Sequence, residues 1–263
     1  MELDLLVRHG VDLGPSGLTF AKRLSEGEMR TVFRIIAALY HRTNDEENHI
    51  NFALGDWYVQ AEEWFGKEEV DKWIDNDQEL RKLNHDLMHL TGVVLAQLQQ
   101  LERTILGCCA FLQPRGLSLT VSDFMSGDPA RLRQTLGQLT RALVNHALFD
   151  PGFESRLRAL VEDRNRLAHR LWSDVYSTTD VDDLPTLVEL KQVEGFLSNL
   201  LKDALEMQRV FFGLHCSIGI GAAAGQGLDP RLEPGVLQWA EYLPDFHAVM
   251  RRVASACSKD LQH

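Results

Sequence analysis

From about residue 79 to residue 112 the apolar side chains Leu80, Leu83, Leu87, Leu90, Val94, Leu98, Leu101, Ile105 and Leu112 recur every three or four positions. That spacing gathers them on one stripe of a single helix, and Pro114 marks its end, because proline cannot continue the hydrogen-bond ladder. A helix this long with a continuous apolar seam must bury that seam against other helices. The chain is thereby directed toward a helical bundle.

The remaining punctuation agrees. Ser25 and Glu28 fit a capping box before a helix over residues 29–40, whose apolar face is Val32, Ile35, Ile36 and Leu39. A second helix is expected over 48–65, ending at Gly66, and the charged residues 67–78 read as a short helix or linker. Asp128-Pro129 and Asp150-Pro151 each combine an N-cap with a first-turn proline, opening helices to about 148 and 172. Pro185 opens a further apolar helix to about 214. Residues 218–228 are glycine-rich and read as a flexible connector before a last helix over 236–257. Gly219-Ile220-Gly221 resembles a nucleotide-binding turn, but no strand precedes it. Alternation of β-branched residues is scarce. The expected fold is all-α, with an antiparallel four-helix core over 79–214. Extra helical regions are expected at 1–78 and 215–263.

No apolar run approaches the roughly 20 residues that span a bilayer, and the acidic opening Met1-Glu2-Leu3-Asp4 is unlike a secretion signal. A cytoplasmic protein without membrane contact is expected. Cys108, Cys109, Cys216 and Cys257 form no CxxC pair, so they read as buried, reduced thiols rather than zinc ligands or disulfides. No metal or cofactor is expected. The net charge of −11 argues against indiscriminate nucleic-acid binding, yet it is unevenly spread. Residues 101–172 hold 10 basic and 7 acidic side chains, and all ten cations are arginine, whose planar fork suits phosphate.

Inside that basic segment stands Arg164-Asn165-Arg166-Leu167-Ala168-His169. On a helix Asn165 and His169 share a face, and Arg164 lies about 140° around from His169 at about 100° per residue. Histidine titrates near neutrality and can take a proton from a 2′-hydroxyl or give one to a leaving 5′-oxygen. A fixed guanidinium can stabilise the charge that builds on the phosphate between them. Asn165 can orient the imidazole or contact phosphate. The plain alternative is a solvated helix with Arg164 paired to Asp163 or Glu162.

The arginine, the polar residue after it and the histidine five positions on resemble the signature of HEPN domains, small α-helical bundles that include many metal-independent ribonucleases. The likeness extends over about residues 79–214. It includes the placement of the motif on the third of four helices and the Thr135-Leu136-Gly137-Gln138-Leu139 run on the preceding helix. The resemblance implies a homodimer whose two motifs face one cleft, cleavage of RNA to a cyclic phosphate and a 5′-hydroxyl, and a role as toxin or antiphage effector. Arg164, Asn165 and His169 are the catalytic residues it implies, with an antitoxin or other regulatory protein as partner. Some HEPN toxins are silenced by AMP attached to a tyrosine two residues after the histidine; here Leu171 stands there. The alternative function is a non-catalytic nucleotide- or partner-binding module, or an adaptor, in a defence or regulatory complex.

Weaker constellations remain. His85 and His89 have the i, i+4 spacing of metal ligands but lack a third ligand. The aromatic run through Trp57, Tyr58, Trp64 and Phe65 could dock a partner or hold bases, although core packing fits it better. His146 is the one other histidine near the motif and reads as a surface or packing residue.

Overall fold

The structure is a computed structural model that describes residues 2–14, 17–43, 48–114, 117–127, 136–146, 149–175 and 186–250. It is predominantly helical, as the periodicity requires, with one small antiparallel hairpin. The chain divides into two compact units, one of Met1–Leu87 with Ser173–Val193, the other of Met88–Trp172 with Glu194–His263.

In the first unit α1 (Glu2–Arg8) leads into strands β1 (Val11–Gly14) and β2 (Gly17–Phe20), paired with Val11 opposite Phe20. The hairpin replaces the helix expected here. Its signal was two short strands around a Gly-Pro-Ser-Gly turn sequence, too brief for alternation to stand out. Next comes α2 (Glu26–Thr43), where the capping box forms as expected. The Ser25 amide donates to Glu28 Oε2 at 2.8 Å, and the Glu28 amide donates to Ser25 Oγ at 3.3 Å. The Ser25 backbone amide, with Lys22 and the Ser25 hydroxyl, holds the Glu28 carboxyl down to about 2. Helix α3 (Asn48–Phe65) ends at Gly66, which adopts the left-handed φ of 90°. Trp57 is fully buried, donates from Nε1 to Met29 O at 2.8 Å and stacks near Phe33. The aromatic run is therefore core.

The charged residues 67–78 are not a linker. They are the opening turns of α4 (Lys67–Leu112), 46 residues long. Their seam positions are Val70, Trp73 and Asp77, and buried Asp77 is held by Arg81 at 2.7 Å and Arg34 at 3.3 Å. A carboxylate in the seam hid the start of the helix from a search for apolar residues.

In the second unit α4 supplies Val94, Leu98, Leu101 and Ile105 to the core. Helix α5 (Val121–Ser126) is a single capped segment that the sequence reading missed, closed by a Thr120–Asp123 capping box. It is followed by α6 (Leu136–His146) and α7 (Pro151–His169). The Asp128-Pro129 cap, Thr135, Pro185 and Cys257 lie outside the described residues, as does the His146 side chain. The helix expected to reach 172 breaks at Arg170, and α8 (Leu171–Val175) follows. Helix α9 (Leu187–Gly225) carries straight through most of the supposed glycine connector. Three consecutive alanines favour the helix there, and the glycines admit neighbours. A Cβ on Gly213 would strike the backbone at Tyr242, and one on Gly219 would stand 3.0 Å from Val236. The final long helix is absent over 236–250, where short turns culminate in α10 (Pro234–Leu237) and α11 (Leu243–Val249).

Three helices of this unit are tied together by buried thiols. Cys108 Sγ donates to Phe211 O, linking α4 to α9, and Cys109 Sγ donates to Leu139 O, linking α4 to α6. Burial pushes the Cys109 thiol up to about 12 and Cys108 well above its ordinary value, so both are inert thiols. Cys216 is also buried and reduced. Among the described residues no helix is long and apolar enough to cross a membrane.

Gly17 has φ 111°, and a Cβ there would overlap the Asp56 carboxylate that accepts from the Leu18 amide at 3.0 Å. Gly17→Ala should cost about 1–3 kcal/mol, read as a lower urea midpoint. Gly14→Ala, with only Gly17 O at 3.9 Å, should stay within about 0.5 kcal/mol of the parent.

Candidate functional site

Helix α7 carries the whole Arg164–His169 motif in its last two turns. Its start is fixed by Asp150, whose Oδ1 accepts from the amides of Gly152 at 2.8 Å and Phe153 at 3.2 Å, with Pro151 in the first turn. The Asp150 amide itself donates to Val249 O at 2.8 Å, so the C-terminal segment anchors the cap. Phe153, Leu157, Leu160 and Leu167 are buried. That stripe fixes the rotation of the helix, and with it the direction of each motif side chain.

Asn165 and His169 fall on the side away from the stripe, and both are exposed. Arg164 falls within the stripe, between Leu160 and Leu167, and is half-buried. Its Nη2 lies 3.1 Å from Glu102 Oε1 on α4, and its Nη1 donates to Asn165 Oδ1 at 3.3 Å. The expected partners Asp163 and Glu162 are not the ones it uses. The Glu102 oxygen is buried and has no partner in hydrogen-bond geometry, so its contact with Arg164 is one of charge and proximity. Two of the three motif side chains are thus joined, and Asn165 stands one turn from His169 on the same face. His169, the last residue of α7, has no hydrogen-bond or ion-pair partner among the described residues.

The arginines around the motif are not equivalent. Arg156 is held by Asp203 at 3.3 Å and by Glu206, and the Arg166 guanidinium lies 4.8 Å over the Phe196 ring. Asp163 is half-buried, and burial pushes its carboxyl above the usual range despite the opposing pull of Arg166.

Other histidines differ. His85 and His89 are exposed, with His85 Nδ1 3.7 Å from Asp86. No group of three metal-ligating side chains occurs among the described residues. His215, which sequence reasoning passed over, borders a cavity of about 360 Å³ with Phe111, Gln226 and Trp239. Its ring nitrogen Nε2 donates to Thr104 O at 3.1 Å, and burial lowers its pKa. The ring fits because Gly107 lacks a Cβ, which would stand 2.9 Å from it. A histidine inside an apolar helical run gives no sequence signal of such a place.

Comparison with protein-family models, with curated proteins and with solved structures finds no match to this chain.

Asp163 offers a test of the motif's electrostatic surroundings. A carboxyl whose folded pKa is raised binds protons more readily in the native state. Its stabilising contribution is therefore present below its unfolded pKa and is lost as pH rises through the folded value. Asp163→Asn should raise the urea midpoint at pH 7, and the gain should shrink as pH falls through the carboxylate range.

Proposed function

We propose that this protein is a metal-independent endoribonuclease of HEPN type, a cytoplasmic toxin or antiphage effector, with Arg164, Asn165 and His169 as its site. The observation that carries the reading is the hydrogen bond from Arg164 to Asn165 beside an exposed His169. It puts a permanent cation, an amide and a titratable ring at one end of one helix. The reading is supported by the order of the long helices α4, α6, α7 and α9, with the motif on the third, as the HEPN resemblance implies.

In this reading His169 moves the proton and Arg164 stabilises the phosphate as charge develops on it. Glu102 keeps the guanidinium fixed while Asn165 shares its other end. Cleavage needs a base on one side of the phosphate and an acid on the other, and a single motif offers one histidine. A two-fold dimer with two copies of α7 facing one another supplies both from one gene. The second reading, a binding module without cleavage, is favoured by one observation: Glu102 already neutralises much of the Arg164 charge. An antitoxin or regulatory partner is compatible with either.

Labelled RNA incubated with the protein and EDTA should be cut to a cyclic phosphate and a 5′-hydroxyl. His169→Ala should lower the rate by roughly 10²- to 10⁴-fold, with an unchanged circular dichroism spectrum because the side chain is exposed. Arg164→Ala should be nearly inactive, and Arg164→Lys poor, since a point charge cannot replace the fork. Light scattering should give a mass near twice 29.8 kDa. A folded dimer that cuts no RNA would favour the binding module, and an RNA-cleaving monomer would sink the composite site.

A further inference from the structure

Between α6 and α7 lies a cavity of about 430 Å³ bordered by Thr140, Arg141, Asn145, Arg158 and Glu162 over a floor that includes Leu157 and Val161. Gly137 lets the two helices close at one end, its Cβ position 3.4 Å from Val161. Arg158, Glu162, Asn165 and His169 follow one another at steps of four, three and four, which places them on one face of α7. The groove therefore opens onto the same face as the exposed end of the motif.

Its two arginines differ from those of the unit that are held in ion pairs, as Arg103 on α4 also does. Arg156, Arg164, Arg209 and Arg231 each have a carboxylate partner. Arg141 and Arg158 are exposed and have none among the described residues. Glu162, which borders the same cavity, is likewise without a cationic partner there. Two planar forks without a partner among the described residues, with an amide beside them, around a cavity of this size suit the phosphates and riboses of a strand.

We propose that the α6–α7 groove is a backbone-binding track for single-stranded RNA, in which Arg141 and Arg158 hold phosphates upstream or downstream of the bond at His169. The proposal rests on the nuclease reading and adds where the substrate lies. Arg158 precedes His169 by 11 residues, about 16 Å along the helix axis. The two arginines are therefore positioning residues that bind the strand and take no part in proton transfer. Glu162 works against them and limits the affinity of the groove, since a carboxylate repels phosphate.

The test uses the full chain carrying His169→Ala, with binding of a labelled mixed-sequence single-stranded RNA followed by fluorescence anisotropy against salt. Arg141→Ala and Arg158→Ala should each weaken binding several-fold and flatten the plot of log K against log salt by about 0.7. Arg156→Ala changes the net charge equally but removes an arginine already neutralised by Asp203 and Glu206, and it should leave affinity nearly unchanged. Glu162→Gln should tighten binding. In the protein with His169 intact, the two groove variants should raise KM and spare kcat. Equal losses from all three arginine variants, or no loss from Arg141→Ala and Arg158→Ala, would overturn the track. So would absence of RNA binding by the parent, or a poly-glutamate peptide competing better than RNA. Groove-dependent RNA binding by a protein that never cuts would uphold the track and remove the nuclease reading.

Discussion

Burial of one seam on α4 is the constraint on which each unit depends. A helix of this length gains little from its own hydrogen bonds in water and is held by what it buries. Its inward positions run Val70, Trp73, Asp77, Leu80, Asn84, Leu87, Thr91, Val94, Leu98, Leu101, Ile105 and Cys108, in strict steps of three and four. A seven-residue repeat of this kind keeps one stripe inward only if the helix is slightly underwound, as in left-handed packed helices. One half of the repeat is apolar throughout. The other passes through Asp77, Asn84 and Thr91 before becoming apolar at Leu98, so the polar seam positions run through the part of the helix in the first unit and end one turn into the part in the second.

The parts of the fold legible in the sequence were those with a strong local rule. The Ser25–Glu28 box, the stop of α3 at Gly66 and the Asp150-Pro151 start of α7 rest on capping chemistry confined to three or four residues. What escaped depended on distant partners. Asp77 belongs in a seam only because Arg34, 43 residues earlier, meets it. Residues 218–225 are helical, with Gly219 close against Val236, a relation that glycine content alone cannot reveal. The hairpin near the N-terminus was too short for its alternation to register.

The candidate site was legible to the same degree and for the same reason. Helical spacing placed Asn165 with His169 and Arg164 to one side, and the structure keeps that arrangement. Spacing could not name Glu102 as the partner of Arg164, because that contact crosses from α7 to α4 over 62 positions in sequence. Nor could it separate the neutralised arginines from those without a partner among the described residues. The composition of the middle segment showed an excess of guanidinium groups, whereas the pairing of Arg156 with Asp203 and Glu206 shows which of them are occupied by the protein itself.

The three buried thiols among the described residues touch three different seams of the second unit: Cys108 faces α9 at Phe211, Cys109 faces α6 at Leu139, and Cys216 on α9 faces α10 at Val236. Each sulfur is sealed by the junction it occupies. The molecule thus carries its own opening gauges, because a small alkylating reagent can reach each of these sulfurs only while its particular junction is parted. Peptide-resolved labelling would then order the breathing of α9, α6 and the C-terminal turns relative to the helix that bears the motif.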